Sequence, residues 1–420
     1  MSFVEFLAGS PSPYHACTQV AQQLSQTGFT QQSETEAWDC TPGGHYVMRD
    51  GAIIAYRIGT GLTGSRARFH IVGTHTDSPG FKLKPHPQHR GFGWAQAGME
   101  VYGGPLLNSW LDREFGLAGR VVLRSGEVQL VATDAWLRIP QLAPHLDRSV
   151  NDSLTLDRQR HMMPVYGVDG GTGVASQGTD IMAALAEVLG CTPTDIQAHD
   201  LFAYITQPPE FFGVHKQFLG AGRLDNLSSV YPGMMALASA IPHQDTIAVL
   251  ACFDHEEVGS QTRSGASGTF LEEVLTRICV GLNLSADEFF QVRARSQVIS
   301  ADAGHSINPN YPEKHDSDQR PIMAGGPMLK VNAQQRYTSD GRGHHFWASL
   351  CEQAGIPYQV FVSNNAVPCG STIGPLTATR LGIPTMDIGI PLLSMHSARE
   401  MCAPIDVDYL QKALEVFFQG

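Results

Sequence analysis

The feature that most constrains the fold is an uninterrupted apolar segment that ends abruptly in acidic residues. Residues 246–253 read TIAVLACF and are followed directly by DHEE (254–257). A run of apolar residues without a charge is typical of a strand that is buried on both faces. Two adjacent acids at the end of such a strand are costly unless each has its own partner. A solvated loop would avoid this cost, whereas a metal ligand beside a general base would give each acid a partner.

Polar segments stand where apolar strands are predicted to end, and each contains a histidine or an acid. They read THTD (74–77), RLDN (223–226), FDHEE (253–257), ADAGH (301–305) and SMHS (394–397). In open α/β sheets, ligands bind beyond the carboxyl ends of the strands, so these side chains are expected to converge. Imidazole and carboxylate ligands without thiolate suit a catalytic zinc, or a related metal, better than a structural one. Taken singly, each of these residues would more often cap a turn.

The candidate ligands outnumber those of one catalytic zinc, which takes about three protein ligands and a water. The candidates are His75, Asp225, Glu257, Asp302 and His396. If one carboxylate bridges, these residues supply three contacts to each of two metals about 3.5–4 Å apart. The residue types therefore predict a centre that binds two metal ions.

His75 and Asp77 lie two positions apart on a segment predicted to be extended, so both side chains point the same way. Asp77 can then accept a hydrogen bond from the ring nitrogen of His75 that does not bind metal. The alternative is that Thr76 and Asp77 only cap the turn that Pro79 and Gly80 begin.

The chain separates into two kinds of sequence. Residues 1–79 and 209–420 alternate strand-like and helical segments, and residues 13–28 carry apolar side chains at helical spacing. This alternation predicts an α/β fold whose catalytic domain has a largely parallel central sheet flanked by helices. Residues 80–208 are rich in glycine and in segments of alternating polarity such as 117–123. They are therefore predicted to form an inserted, β-rich second domain.

Charge and composition exclude several classes of protein. A net charge of −12 and a pI near 5.7 argue against a nucleic-acid-binding surface, because binding to phosphates requires clustered lysine and arginine. The eight cysteines are scattered without a CxxC pair, as expected for reduced thiols. The first residues lack the basic and apolar regions of a signal peptide, and no segment reaches the ~18 apolar residues of a membrane span. We therefore expect a cytoplasmic protein with no nucleic-acid or membrane partner.

Seven segments in order resemble the aspartyl aminopeptidase family of co-catalytic zinc exopeptidases, over essentially the whole chain. They are GTHTDSPGFKLKP (73–85), GRLDN (222–226), DHEEVGS (254–260), SADAGHSINPNYPEKHD (300–316), GGPMLKVNAQQRY (325–337), PCGSTIGP (368–375) and MHSARE (395–400). One segment alone would be a weak signal, but seven in the expected order are specific. The resemblance implies a zinc-dependent aminopeptidase that removes an N-terminal residue, preferably Asp or Glu, from peptides with a free N-terminus.

The resemblance also implies two zinc ions per subunit and divides their ligands. His75 and Asp302 are the implied ligands of one zinc, Glu257 and His396 those of the other, and Asp225 the implied bridge. Manganese or cobalt could occupy the same nitrogen and oxygen ligands.

Other roles follow from the same resemblance. Glu256 is the implied general base, and Asp77 the implied residue that orients the metal-bound imidazole. Lys330 corresponds to the cation that would select an acidic substrate, with Tyr337 beside it, although a lysine taken alone is more often a surface residue. His145 resembles the family's histidine that reaches the active site of a neighbouring subunit and touches substrate.

The family further implies a catalytic domain split into residues 1–79 and 209–420, with residues 80–208 as the dimerisation domain. Dimers would assemble into tetrahedral dodecamers whose active sites face an internal chamber. Two other functions stay open from the sequence. One is a broad or leucine-preferring metallo-aminopeptidase. The other is a non-catalytic assembly or cargo protein on a peptidase scaffold, which is disfavoured because every ligand position and the base are present.

Overall fold

Two large β-sheets organise the chain in the computed structural model, which describes residues 1–62, 66–169 and 180–420. In chain order the strands are β1 (Phe29–Gln31), β2 (Gly43–Arg49), β3 (Ala52–Ile58), β4 (Arg68–His75), β5 (Gly80–Gly91), β6 (Trp94–Tyr102), β7 (Glu114–Leu123), β8 (Val128–Ala132), β9 (Leu137–Arg138), β10 (Val165–Val168), β11 (Ile196–Ile205), β12 (Glu210–Phe212), β13 (Phe218–Ala221), β14 (Thr246–Phe253), β15 (Gln297–Ala301), β16 (Gly304–His305), β17 (Met328–Val331), β18 (Gln359–Val362), β19 (Thr385–Gly389), β20 (Pro391–Leu392) and β21 (Glu400–Cys402). The helices are α1 (Phe3–Ala8), α2 (Pro13–Gln26), α3 (Ile181–Leu189), α4 (Leu224–Ser239), α5 (Phe270–Gly281), α6 (Ala286–Arg295), α7 (Gly341–Ala354), α8 (Ile373–Leu381) and α9 (Pro404–Gln419).

The first sheet has a parallel centre. Among the described residues its strand order is β1-β2-β3-β14-β4-β15-β19-β17-β18. The four central strands, β14, β4, β15 and β19, run parallel to one another. The β2–β3, β3–β14 and β17–β19 pairs are antiparallel. The prediction of a largely parallel central sheet is therefore confirmed, with antiparallel additions on both sides of the centre.

Strand β14 shows why the sheet is buried on both faces. All of its residues are buried. Ala248 and Leu250 belong to an apolar cluster that also contains residues of α2, α4, α7 and α9, whereas Ile247 and Val249 belong to a second cluster with α5, α6 and α8. Successive side chains point to opposite faces, so both faces need apolar residues. Fully burying a valine, leucine or isoleucine side chain stabilises the fold by about 1.5–3 kcal/mol.

In the described part of the chain the second sheet is antiparallel and barrel-like, and its strands lie within residues 80–168 and 196–205. Its strand order is β11-β5-β6-β10-β9-β7-β8, with an additional pairing of β11 with β7. It has its own apolar core, which includes Phe81, Trp110, Phe115 and Leu201. The predicted separate β-rich unit is therefore confirmed. Helix α3 also packs on this core and was not expected from the glycine-rich sequence.

All eight cysteines of the chain are free thiols, and five of them are buried. Burial keeps these five thiols from solvent and raises the pKa of, for example, Cys252 to about 12, so they remain protonated. Among the helices that the structure describes, none combines the length and the apolar composition that crossing a membrane requires.

Candidate metal centre

The carboxyl ends of the central parallel strands meet at one edge of the first sheet, where predicted site residues gather. Strand β4 ends at His75, which lies opposite Phe253, the last residue of the neighbouring β14. A 3-10 turn, Glu256–Val258, follows β14, and Asp302 follows β15. The parallel pairing of these strands brings an imidazole and carboxylates from distant segments together.

Asp225 and His396 reach the same edge from irregular segments. Asp225 lies in the first turn of α4, directly after Leu224, and the preceding Arg223 has φ +63°. His396, in the loop between β20 and β21, has φ +66°, and His255 before the acidic turn has φ +64°. A non-glycine residue in this left-handed region costs roughly 1–3 kcal/mol and persists only where its surroundings hold it. The cluster is therefore approached by three backbone segments that tertiary contacts hold in place.

Asp225 lies between two pairs, each made of one histidine and one carboxylate. Its Oδ1 is 3.3 Å from Nε2 of His75, which is 3.6 Å from Oδ1 of Asp302. Its Oδ2 is 3.4 Å from Nε2 of His396, which is 3.5 Å from Oε2 of Glu257. Two triads thus share one carboxylate, and a different oxygen of Asp225 faces each of them.

These separations fit ligands around a metal better than direct ion pairs. A tetrahedral zinc holds nitrogen and oxygen ligands at about 2.0–2.2 Å, which places two ligands of one ion about 3.3–3.6 Å apart. The four separations in the cluster range from 3.3 to 3.6 Å. Charge-assisted N–H···O hydrogen bonds would instead be about 2.7–2.9 Å long. The chemistry of the donors, imidazole nitrogen and carboxylate oxygen, is also that of catalytic zinc.

Unpaired oxygens and an excess of buried negative charge support the same conclusion. Oδ1 of Asp225 and Oε1 of Glu257 are buried and make no hydrogen bond within the described part of the chain. Taking a carboxylate out of water costs several kcal/mol unless its charge is compensated. Five acids of this region are buried, and none of them exposes more than 6% of its surface. They are Asp77, Asp225, Asp254, Asp302 and Glu400. Bound metal cations would compensate this charge.

The pKa values that the protein groups impose on one another reflect the same crowding. Burial raises the pKa of Glu256 to about 8, and the charges of Asp302 and Asp225 add to the shift while a neighbouring imidazole opposes it. Burial also raises the pKa of Glu257 well above its ordinary range. For His396, burial lowers the pKa, but the contact with Asp225 outweighs it and raises the pKa to about 9. A metal cation bound in the cluster would oppose each of these upward shifts, because its charge favours the deprotonated carboxylates and imidazole.

Asp77 holds both the acidic turn and the neighbouring imidazole. Its Oδ1 and Oδ2 accept the backbone N–H groups of Glu256, at 3.0 Å, and Glu257, at 3.1 Å. Tyr102, the last residue of β6, donates its hydroxyl to Oδ2 at 2.7 Å. Nδ1 of His75 lies 3.0 Å from the backbone oxygen of Asp77 and 3.4 Å from its Oδ1. The shorter contact of the imidazole is thus with the carbonyl, whereas the sequence suggested the carboxylate.

Two residues that the sequence analysis did not single out hold the ligand segments. Glu400 accepts the backbone N–H groups of Asp225, at 3.1 Å, and His396, at 2.8 Å. Asn226 donates its amide to the carbonyl of Ala301 at 2.9 Å, which ties the start of α4 to the end of β15. Both lie within conspicuous segments, MHSARE and RLDN, but their partners are distant in the sequence.

The second sheet also contributes to the cluster. Nδ1 of His396 lies 3.0 Å from the carbonyl oxygen of Gly104, in the segment after β6. Gly103 has φ +66°, and a Cβ there would lie 3.1 Å from Cβ of Glu257, so this close approach requires glycine. Together with Tyr102, these residues form a strip of the second unit that packs against the metal-binding residues of the first.

Two of the predicted substrate residues lie beside the cluster. Lys330, in β17, is 2% exposed and donates from Nζ to the carbonyl of Ala303 at 2.7 Å, one residue after Asp302. Its Nζ is 5.4 Å from the ring centre of Tyr337. Within the described part of the chain, its contacts include no carboxylate. His145 is exposed, in a turn of the second unit, and makes no contact with the cluster among the described residues.

Comparison with known proteins identifies the family. The family model described as aminopeptidase I zinc metalloprotease (M18) matches residues 6–418. A probable M18 family aminopeptidase 2 of Streptomyces avermitilis is 47% identical over 422 residues, which cover 99% of this chain and 96% of the relative. The corresponding protein of Mycobacterium leprae is 41% identical over 423 residues, covering 99% of this chain and 97% of the relative.

Solved structures of M18 relatives have the same fold as this chain. The structure of Ape4 in its complex with Nbr1 superposes with a TM-score of 0.93 at 35% identity, covering 99% of this chain and 84% of that chain. The Saccharomyces cerevisiae mApe1 dodecamer superposes with a TM-score of 0.83 at 27% identity, covering 99% of this chain and 95% of that chain.

The cluster, the fold and the relatives all indicate a metal-dependent peptidase. The resemblance to zinc aminopeptidases is confirmed, so the alternative of a non-catalytic scaffold is not needed to explain the chain. The chain belongs to the M18 family of aminopeptidases and is a zinc metallopeptidase.

Proposed function

We propose that the protein binds two zinc ions and removes N-terminal Asp or Glu residues from peptides. The observation that carries this proposal is the carboxylate of Asp225, which lies between His75 with Asp302 on one side and His396 with Glu257 on the other. Each pair, completed by one oxygen of Asp225, offers the three protein ligands that a catalytic zinc uses. Manganese or cobalt would fit the same donor atoms.

The proposed chemistry assigns one task to each protein group. Zinc, when bound, supplies a water of lowered pKa and polarises the carbonyl of the substrate. Glu256 accepts the proton that the attacking water loses and returns it to the leaving amine. Asp77 orients the imidazole of His75 through its carbonyl and the acidic turn through its carboxylate. The buried acids favour a substrate's free ammonium group, which restricts cleavage to the first peptide bond.

The acidic preference is proposed from the charge of Lys330. An ammonium that is 2% exposed and has no carboxylate partner among the described residues is costly, and an acidic substrate side chain would compensate it. Nζ donates to Ala303, the residue after Asp302, so this charge lies close to the metal cluster. The ring of Tyr337, whose centre is 5.4 Å from Nζ, would form a wall of the same pocket.

We expect Lys330→Leu to lower kcat/KM for Asp-p-nitroanilide by roughly 30- to 900-fold, because truncating one partner of a buried charge pair costs about 2–4 kcal/mol. The kcat/KM for Leu-p-nitroanilide should stay within a few-fold of the wild type or rise. Steady-state rates on both substrates measure the change in preference.

Two variants control for other effects of the Lys330 substitution. Lys330→Arg keeps the positive charge and should retain part of the acidic preference. Lys412→Leu removes an exposed lysine of α9 and should change neither substrate. A wild type that already prefers Leu would favour the leucine-preferring alternative. An unchanged Asp-to-Leu ratio in Lys330→Leu would reject the role of Lys330.

The function itself is tested by hydrolysis of Asp-, Glu-, Leu- and Lys-p-nitroanilide with chelator-treated and zinc-restored protein. We expect chelation to abolish release of nitroaniline and zinc to restore it, with the highest rates on Asp and Glu. Zinc-dependent release led by Leu would retain the mechanism and reject the role of Lys330. Absence of activity on all four substrates after zinc restoration, in protein with full zinc content, would contradict the proposed reaction.

We further propose that residues 80–208 form a dimerisation domain and that dimers assemble into a dodecamer, with 1–79 and 209–420 as the catalytic domain. Support comes from large apolar side chains that this unit leaves exposed, among them Phe92, Trp94, Leu142 and Leu146. A relative has been solved as a dodecamer. His145 lies next to Leu146 and could then reach a neighbouring subunit's active site. Sedimentation of the purified protein at the mass of one chain would contradict this assembly.

We propose that the protein works in the cytoplasm on peptides with a free N-terminus. The free state of all eight cysteines supports a reducing compartment, where disulfides rarely persist.

A further inference from the structure

Glu400 links two segments of the metal cluster through its two carboxylate oxygens. Oε2 accepts the backbone N–H of Asp225 at 3.1 Å, and Oε1 accepts the backbone N–H of His396 at 2.8 Å. The side chain is buried, with 2% of the residue exposed. Asp225 and His396 are the two residues whose side chains meet at 3.4 Å in the triad with Glu257. One buried carboxylate therefore fixes the distance between the backbones of two neighbouring ligand residues.

The fold explains how Glu400 reaches both partners. It is the first residue of β21, which pairs antiparallel with β13 so that Glu400 lies opposite Ala221. The chain leaves β13 and reaches Asp225 four residues after Ala221, and His396 precedes Glu400 by four residues. His396 itself has a left-handed backbone. Regular secondary structure therefore fixes Glu400, and Glu400 in turn fixes two irregular ligand segments.

A carboxylate is the group that this position requires. Two backbone N–H groups need two acceptors, and a carboxylate offers one on each oxygen. A glutamine has the same shape, but its NH2 group would face one of the N–H donors. A buried acid beside an already acidic cluster is costly, so a role in stability alone would be better served by neutral groups.

The two metal-cluster histidines differ in the hydrogen bonds that hold them. His75 has its own contact to the carbonyl of Asp77, which does not involve Glu400. His396 has two supports, Glu400 and the carbonyl of Gly104. Loss of Glu400 would therefore loosen His396 and the backbone of Asp225, and it would leave the support of His75 intact.

We propose that Glu400 is a positioning residue for the zinc ion that Asp225, Glu257 and His396 would share. This inference rests on the proposed two-zinc centre. Its consequence is graded: without Glu400 this ion loses the positioning of two ligands, whereas the ion held by His75 and Asp302 loses only that of the shared Asp225. The hydroxyl of Ser78 still donates to the carbonyl of Asp225 at 2.7 Å, so the second ion should be weakened less than the first.

The test is the zinc affinity of a Glu400→Gln variant of the full chain, measured by competition with a chromophoric chelator, with zinc content checked by mass spectrometry after dialysis. We expect one of the two zinc dissociation constants to rise roughly 10- to 100-fold, the usual cost of losing a group that orients a ligand. The other constant should rise markedly less. Added zinc should then restore activity to the variant, which a general loss of structure would not allow.

Asp406→Asn is a matched control. Asp406 is also a buried carboxylate whose two oxygens accept backbone N–H groups, from Ala324 at 2.7 Å and Gly326 at 2.8 Å, but neither belongs to a cluster residue. This variant should keep both zinc affinities, whatever its thermal stability. Glu400→Asp keeps the charge but is too short to reach both N–H groups, so it should lose zinc as Glu400→Gln does. It serves as the test if the Gln variant does not fold.

The possible outcomes distinguish failure of the role of Glu400 from failure of the two-zinc centre. If Glu400→Gln and Glu400→Asp bind both ions with wild-type affinity, or weaken both ions to the same extent, the positioning role is wrong. If the wild type itself binds fewer than two zinc ions, the two-zinc function fails before Glu400 is tested.

Discussion

The variant Glu256→Gln is expected to bind zinc like the wild type while its kcat falls by about 10²- to 10⁴-fold, the usual contribution of a general base. Gln has the shape of Glu but cannot accept a proton from water. The backbone of residue 256 is held by its N–H contact to Asp77 at 3.0 Å, which the substitution leaves in place. Steady-state hydrolysis of Asp-p-nitroanilide and zinc content per chain, measured on the same preparation, test this expectation.

Two controls distinguish loss of the base from loss of the metal. Glu257→Gln, one residue further along the same 3-10 turn, removes a proposed ligand and should lower zinc content. Glu352→Gln, at an exposed position of α7, should change neither zinc content nor rate. A Glu256→Gln variant with full zinc and a near-wild-type kcat would show that another group accepts the proton.

The substitution Asp225→Ala is expected to weaken the binding of both zinc ions, because each triad loses one of its three protein ligands. The loss should exceed the roughly 10- to 100-fold that removal of an orienting partner costs. Activity should fall below detection at zinc concentrations that saturate the wild type. Zinc titration with a competing chelator, followed by the p-nitroanilide assay, measures both effects.

Single-site variants provide the comparison for the bridge. Asp302→Ala removes a ligand proposed for one ion only, and Glu257→Ala a ligand proposed for the other. Each should weaken one zinc and leave the second close to its wild-type affinity. If Asp225→Ala weakens only one ion, Asp225 is a terminal ligand and the shared-carboxylate arrangement is wrong.

Much of the fold is readable from local pattern. The apolar run at 246–253 coincides with β14, and the amphipathic segment 13–28 corresponds to α2. Strand β4 continues through His75, into the polar segment 74–77 at which a strand was predicted to end, because pairing with Phe253 extends it. Helix α3 was missed in the segment of β-like texture, where it packs on the core of the second sheet. Tertiary pairing and packing decided both differences.

The identity of the clustered residues was also readable, because acids and histidines at the ends of buried strands need a common partner. His75, Asp225, Glu257, Asp302 and His396 were candidates from the sequence, and the structure brings them together. The sequence could not show that the oxygens of Asp225 face opposite pairs. That arrangement depends on the direction in which the irregular segment before α4 enters the site.

The sequence by itself therefore determined which residue types meet at the sheet edge, because an apolar strand must be buried and its polar end must be compensated. Only the tertiary structure decided how these residues are held. Glu400 reaches Asp225 across 175 residues, and Gly104 reaches His396 across 292. These contacts use backbone N–H and C=O groups, which nearly every residue possesses. The residue type therefore does not predict which backbone group will be the hydrogen-bond partner, and only the folded chain determines it.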